Sequence, residues 1–335
     1  MGRTAYDFEE YGIDNIRTYV RNFELPRPDP CSEKDLLFML GRGPYIPSTD
    51  VNKSHQNILH TRHERWRSFE NIQHLTLDGI SPLKWTNMLP LKANEPIDKA
   101  SCAIDPRYRL PQVLPDFYTH APIDISNMQS WLNLLLITAT RIMHTTMPAT
   151  SPYAFQYGKN KSKDNHIFRH FVWSPNGLNP HEPTWDAGSV VVAYQPPFVL
   201  TLQDLQEFAS CRAFPTFDAI SDHLSSKYRL WAKIWDTCQV NHSNWFILTS
   251  YTHWVFGAFS KGMRVAFVSP VITYSRSKPS ILEIFLYWVC SAMNQPGTFR
   301  LPQVGDDVLD PYEVPCTAYD VLFFGHRAVL ALCDT

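Results

Sequence analysis

The chain has 335 residues, 44% hydrophobic and 19% charged, which supplies a core for one large domain or two ordinary ones and excludes a globally disordered protein. A formal net charge of −2 excludes a chain drawn as a whole to nucleic acid or to an anionic membrane, and leaves only local basic patches for such partners. Twenty-six prolines against thirteen glycines imply extended, pre-ordered connections in place of flexible linkers.

In chain order, MGRTAYDFEEYG is acidic and lacks the apolar core of a secretion signal, and Tyr6 stands where a myristoylation signal needs Ser or Thr. Residues 1–125 alternate proline-rich pieces (ELPRPDP, LPLKANEP, YRLPQVLPDFYTHAP) with short helical candidates. RHERWRSFENIQHL (62–75) is the best helix among them. The region is expected to wrap the rest of the molecule as an irregular Pro-rich segment, a separate small domain being the alternative. Residues 126–335 are expected to form an α/β domain. SNMQSWLNLLLITATRIMHTT (126–146) spaces its apolar residues as a core helix does. GKNKSKDN (158–165) is a polar turn, expected as an exposed hairpin tip, and HIFRHFVWS (166–174) then reads as a strand.

SVVVAYQ (189–195) is a nearly continuous apolar run, expected as a strand buried on both faces and ended by Pro196 and Pro197. Thr201 with Asp204 comes close to a capping box for a following helix. KYRLWAKIWDTC (227–238) is an amphipathic helix with Tyr228, Trp231, Trp235 and Cys238 on one stripe. NWFILTSY (244–251), THWVFGAFS (252–260) and RVAFVSPVITY (264–274) read as three strands, with Gly262 in the tight link between the last two. Ser280 and Glu283 form the capping-box pattern for the helix ILEIFLYWVCSAM (281–293). From 166 onward the order is strand, strand, helix, helix, strand, strand, strand, helix, a mixed α/β layer structure with a central sheet flanked by helices.

Seven cysteines (Cys31, Cys102, Cys211, Cys238, Cys290, Cys316, Cys333) at long spacings, with no CxxC pair, argue against a disulfide framework and a thiolate zinc site. They are expected as reduced thiols in a cytoplasmic or nuclear protein. The sequons at Asn52, Asn160 and Asn241 are then chance matches. WLNLLLITA (131–139) and ILEIFLYWVCSAM are too short to span a bilayer, so no membrane partner is expected.

The order from 166 resembles the PD-(D/E)XK, or restriction-endonuclease-like, fold, with its core at about 150–300. The helix KYRLWAKIWDTC leading into Phe246, Ile247, Leu248, Thr249, Ser250, Tyr251, Trp254, Val255 and Phe256 is similar to the helix and "y-x-i-L-T-s/d-g-x-x-W-x-v-f" strand pair of such domains. The block 183–293 also resembles a family of fungal proteins with the same YQPP and LTSY…WVFG stretches, to which no activity is attached. The resemblance implies an acidic residue on one strand and Glu-x-Lys on the next, the carboxylates holding Mg or Mn and the lysine positioning the attacking water. Aligned on "VVEVKPP", VVVAYQPP places Ala193 at the glutamate and Gln195 at the lysine. Neither can do that chemistry, so the site is degenerate. Either the fold serves binding, or the carboxylates have migrated to Asp186, Glu182, Asp218 or Asp222, with Lys227 or Lys233 as the replacement cation.

Other patterns suggest other chemistry. DDVLD places Asp306, Asp307 and Asp310 in the DDxxD pattern by which isoprenoid cyclases hold magnesium, although the flanking prolines suggest a loop where those enzymes use a helix. HTRHE (60–64) and HIFRH (166–170) carry histidine pairs, but HTRHE matches neither HExxH nor HxxEH. HIFRH as a strand would place its two histidines on one face, about two pleats apart. Arg62, Arg65 and Arg67 interleave with Trp66 and Phe69, and Lys159, Lys161, Lys163 and Arg169 add a basic rim. Together they are the residue types that hold a phosphate backbone and stack on bases. No GxSxG or glycine-rich phosphate loop occurs, and Cys211 and Cys238 are only near His223 and His242 in sequence. The leading expectation is a non-catalytic nuclease-like module that binds nucleic acid or a protein partner. The alternatives are a metal-dependent nuclease with migrated ligands and a magnesium-dependent cyclase or lyase using DDVLD.

Overall fold

The structure, a computed structural model, describes residues 15–25, 57–62, 64, 67, 69, 71–76, 82–90, 93, 125–158, 163–175, 188–216, 224–302 and 304. Six helices, α1 (Ile16–Asn22), α2 (Pro82–Asn87), α3 (Ile125–Thr146), α4 (Leu202–Ala209), α5 (Ser226–Val240) and α6 (Ile281–Ala292), are described. The described strands are β1 (Asn71–His74), β2 (Tyr153–Tyr157), β3 (Arg169–Pro175), β4 (Val190–Tyr194), β5 (Trp245–Thr249), β6 (His253–Phe259), β7 (Val265–Val268) and β8 (Ile272–Thr273). They form one mixed sheet in the order β1-β7-β6-β5-β4-β3-β2, with β8 beside β6. The protein is thus α/β, with the sheet flanked by helices on both faces. β2, β3 and β4 form an antiparallel meander, β5 returns parallel to β4 after α4 and α5, and β1 joins parallel to β7.

The apolar run of β4 follows from its place in the middle of the sheet. Val190, Val192 and Tyr194 point to the face covered by α3 and α6, while Val191 and Ala193 point to the face covered by α4 and α5. Every residue of β4 is buried. α5 presents Trp231, Trp235 and Cys238 to the second face, with Tyr228 packed at its edge. Trp231 stacks on Phe208 of α4 at 4.1 Å between centroids, and its indole donates to the Phe208 carbonyl. On the opposite face the Trp288 indole of α6 donates to the carbonyls of Phe246 and Gly257. Gly257 is required there, because a Cβ would collide with the Phe246 ring.

Several local expectations are corrected. Residues 71–74 of the expected helix 62–75 are strand β1, because they pair with β7 in register from Asn71↔Val265 to His74↔Val268. The expected strand 264–274 is two strands, β7 and β8, which both run antiparallel along β6, with the register slipping by one residue between Gly257↔Val268 and Trp254↔Ile272 around Pro270, which has no N–H to give to a ladder. Gly262 lies in the β6–β7 link as expected, and beside it Met263, at φ 60°, takes the left-handed backbone. Thr201 and Asp204 make a complete capping box. At α6 only half of it forms: Ser280 accepts from the Glu283 N–H, but the Glu283 carboxylate turns to the hydroxyl of Thr86. No helix among the described residues is long and apolar enough to cross a membrane.

Candidate functional site

Strand register settles what stands beside Ala193. Ala193 pairs with His170 of β3, and both face α4 and α5. Ala193 is wholly buried among apolar side chains, so no ligand-binding carboxylate occupies that point of β4. Gln195 lies one pleat further along on the same face. It is also buried, its backbone N–H bonds to the Thr249 carbonyl, and its side-chain amide donates to Asn57 Oδ1 at 3.1 Å. Gln195 Oε1 and Asn57 Nδ2 have no hydrogen-bond partner among the described residues.

His170 is 4% exposed. Asn241 at the end of α5 places its amide nitrogen 3.2 Å from Nε2, so the neutral ring accepts there, while Nδ1 finds no partner among the described residues. Burial first and the nearby Lys233 second pull its pKa down to about 4. The ring lies against Gly158, where a Cβ would collide with it. HIFRH therefore does not form a two-histidine face. His166 is exposed in the turn before β3, where its Nδ1 contacts the Lys163 carbonyl, and only His170 is in the strand.

Asp164 is the residue that sequence reasoning missed. It belongs to the segment expected as an exposed tip, yet its side chain is wholly buried. Oδ2 accepts from Lys233 Nζ at 2.8 Å, and Oδ1 accepts from the His60 backbone N–H and meets His60 Nδ1 at 2.7 Å. Burial would raise its pKa, but the lysine and the histidine donors hold the carboxyl well below the usual carboxylate range. Lys233, considered above as a replacement cation, is therefore already neutralised by an acid from the hairpin. A single Asp in a run of lysines was the available signal.

The basic candidates divide. Arg62 and Lys163 are exposed, and they flank the His60–Asp164 contact. Arg67 is buried, its guanidinium in a bidentate pair with Asp236 at 2.6 and 2.7 Å, so it holds the fold together. Phe69 is buried between Phe214, Trp231 and Phe259. Lys227 lies 5.0 Å from the ring of its neighbour Tyr228. Arg65, Trp66, Lys159, Lys161, Asp186, Glu182, Asp218, Asp222, His63, His223 and the aspartates Asp306, Asp307 and Asp310 lie outside the described residues.

Cys211, Cys238 and Cys290 are free, buried thiols, and burial pushes each of their pKa values up, away from nucleophilic use. Among the described residues, no three His, Cys, Asp or Glu side chains converge as a metal site would require. No protein family, curated protein or solved structure matches the chain.

Proposed function

We propose that this chain is a non-catalytic, nuclease-like module that binds nucleic acid. The observation that carries the reading is the state of the β3–β4 position: a buried Ala193 opposite a buried, neutral His170, with the nearby Asp164 locked under Lys233 and His60. Among the described residues this position has no unengaged carboxylate to offer a divalent metal, yet the exposed cations Arg62 and Lys163 lie in the segments that meet at Asp164. The meander β2–β4, the helices α4 and α5 and the parallel β5 support the likeness to nuclease domains. Exposed basic side chains suit phosphate contact.

The test is one set of reactions. The purified full chain is incubated with labelled single- and double-stranded DNA and RNA, with manganese or with EDTA, and binding and cleavage are read together. Salt-sensitive binding without cleavage, weakened in a variant carrying Arg62→Glu and Lys163→Glu, is the expected result. Metal-dependent cleavage that is lost in Asp186→Ala would establish the migrated-ligand nuclease in its place. Failure to bind any of the four nucleic acids would remove nucleic acid from the account.

A further inference from the structure

We propose that Tyr157 and Arg169 form a contact selective for single-stranded nucleic acid, a base stacking on the tyrosine and a phosphate lying against the guanidinium. This rests on the nucleic-acid reading above and names the kind of strand it takes. β2 is the last strand of the described sheet, and Tyr157 stands at its end, 46% exposed. Its ring is held in a T-shaped contact by Phe171, its partner residue on β3, at 5.9 Å and 80°. Phe171 in turn stacks on Tyr194 of β4 at 5.6 Å and 24°. A row of three rings thus runs from the buried middle of the sheet to its edge, and fixes the outermost ring before any ligand arrives. A pre-positioned aromatic loses little entropy on stacking.

Arg169 supplies the second half. It pairs with Tyr194 across the strands, and its guanidinium is fixed by neutral oxygens: Nε donates to the Asn165 carbonyl at 2.9 Å, and Nη1 to Gln129 Oε1 at 3.0 Å. No carboxylate among the described residues forms an ion pair with it, so its charge is held in place and left uncompensated. The exposed Lys163 extends the positive charge along the hairpin. Base faces are closed to such a ring in a duplex, whereas a single strand can splay a base onto it.

The experiment measures affinity of the full chain for a short labelled oligothymidylate and for a labelled hairpin duplex, by fluorescence anisotropy. Tyr157→Ala is expected to weaken single-strand binding roughly 5- to 150-fold, with duplex binding changed less than about 2-fold. Tyr157→Trp is expected to restore it and Tyr157→Leu not to. Circular dichroism checks that each variant is folded. If the wild type binds and Tyr157→Ala binds equally well, this inference falls while the nucleic-acid reading stands. Equal losses on both probes overturn the strand selectivity. A wild type that binds neither probe overturns the nucleic-acid reading and this contact with it.

Discussion

His170 is the residue whose surroundings carry the most consequence. A nuclease-like site would want charge beside position 193, and here an imidazole is kept neutral by burial and by Lys233. The sign of the linkage follows from the lowered pKa. An unfolded chain protonates this histidine below about 6.5, while the folded chain resists until about 4. Stability therefore falls as pH drops through that window, by roughly 3 kcal/mol in all if the full shift is expressed. Asp164 works in a different window. Its depressed pKa gives stability that is complete above the ordinary aspartate value of 3.8 and is lost only as pH falls below it. Urea midpoints at pH 7 and pH 4.5 should thus differ in the wild type, and the difference should shrink in His170→Gln. An unchanged difference in that variant would assign the pH response to other groups.

At the scale of elements, the legible parts are those whose pattern is complete within one segment. The two-sided burial of β4 could be read from SVVVAYQ, and the stripe of α5 from its tryptophans, because period and composition alone fix such elements. β1 could not be read, since Asn71–His74 buries only Ile72 and owes its extended form to β7, far along the chain. The candidate site was half legible: alignment found Ala193 and Gln195, but no spacing rule links Asp164 to Lys233 or Asn57 to Gln195. The two helix starts show the same divide. Thr201 and Asp204, both buried, cap reciprocally, whereas Glu283 meets Thr86 of α2 instead. Thr201→Ala is accordingly expected to cost about 1 kcal/mol or somewhat more, through two lost bonds in a buried cap, measured as a fall in urea midpoint. A loss indistinguishable from zero would mean that packing of Leu205 and Phe208 alone defines α4.

At the scale of the whole molecule, a net charge of −2 means that the protein's overall field does not gather nucleic acid. On the proposed nucleic-acid reading, binding comes from a local group of cations, and a local group leaves a countable signature. Arg62, Lys163 and Arg169 are the described cations in the segments that meet at Asp164 with no carboxylate in an ion pair among the described residues, and Lys159 and Lys161 belong to the same run of sequence. Neutralising about three to five phosphates of a single strand gives a slope of roughly −2 to −3.5 in a plot of log affinity against log salt. Reversing Arg62 and Lys163 to Glu should flatten the slope by at least about 1.4, because two contacts each release about 0.7 of a counterion. Tyr157→Ala should lower the whole line and leave its slope alone, since stacking displaces no counterion from a phosphate. Anisotropy titrations between low and moderate salt separate these effects. A steep slope near −7 or beyond would require many more phosphate contacts than this corner holds, and would place the binding surface elsewhere on the chain. A flat line in the wild type would show that phosphate contact contributes nothing, leaving stacking as the sole interaction.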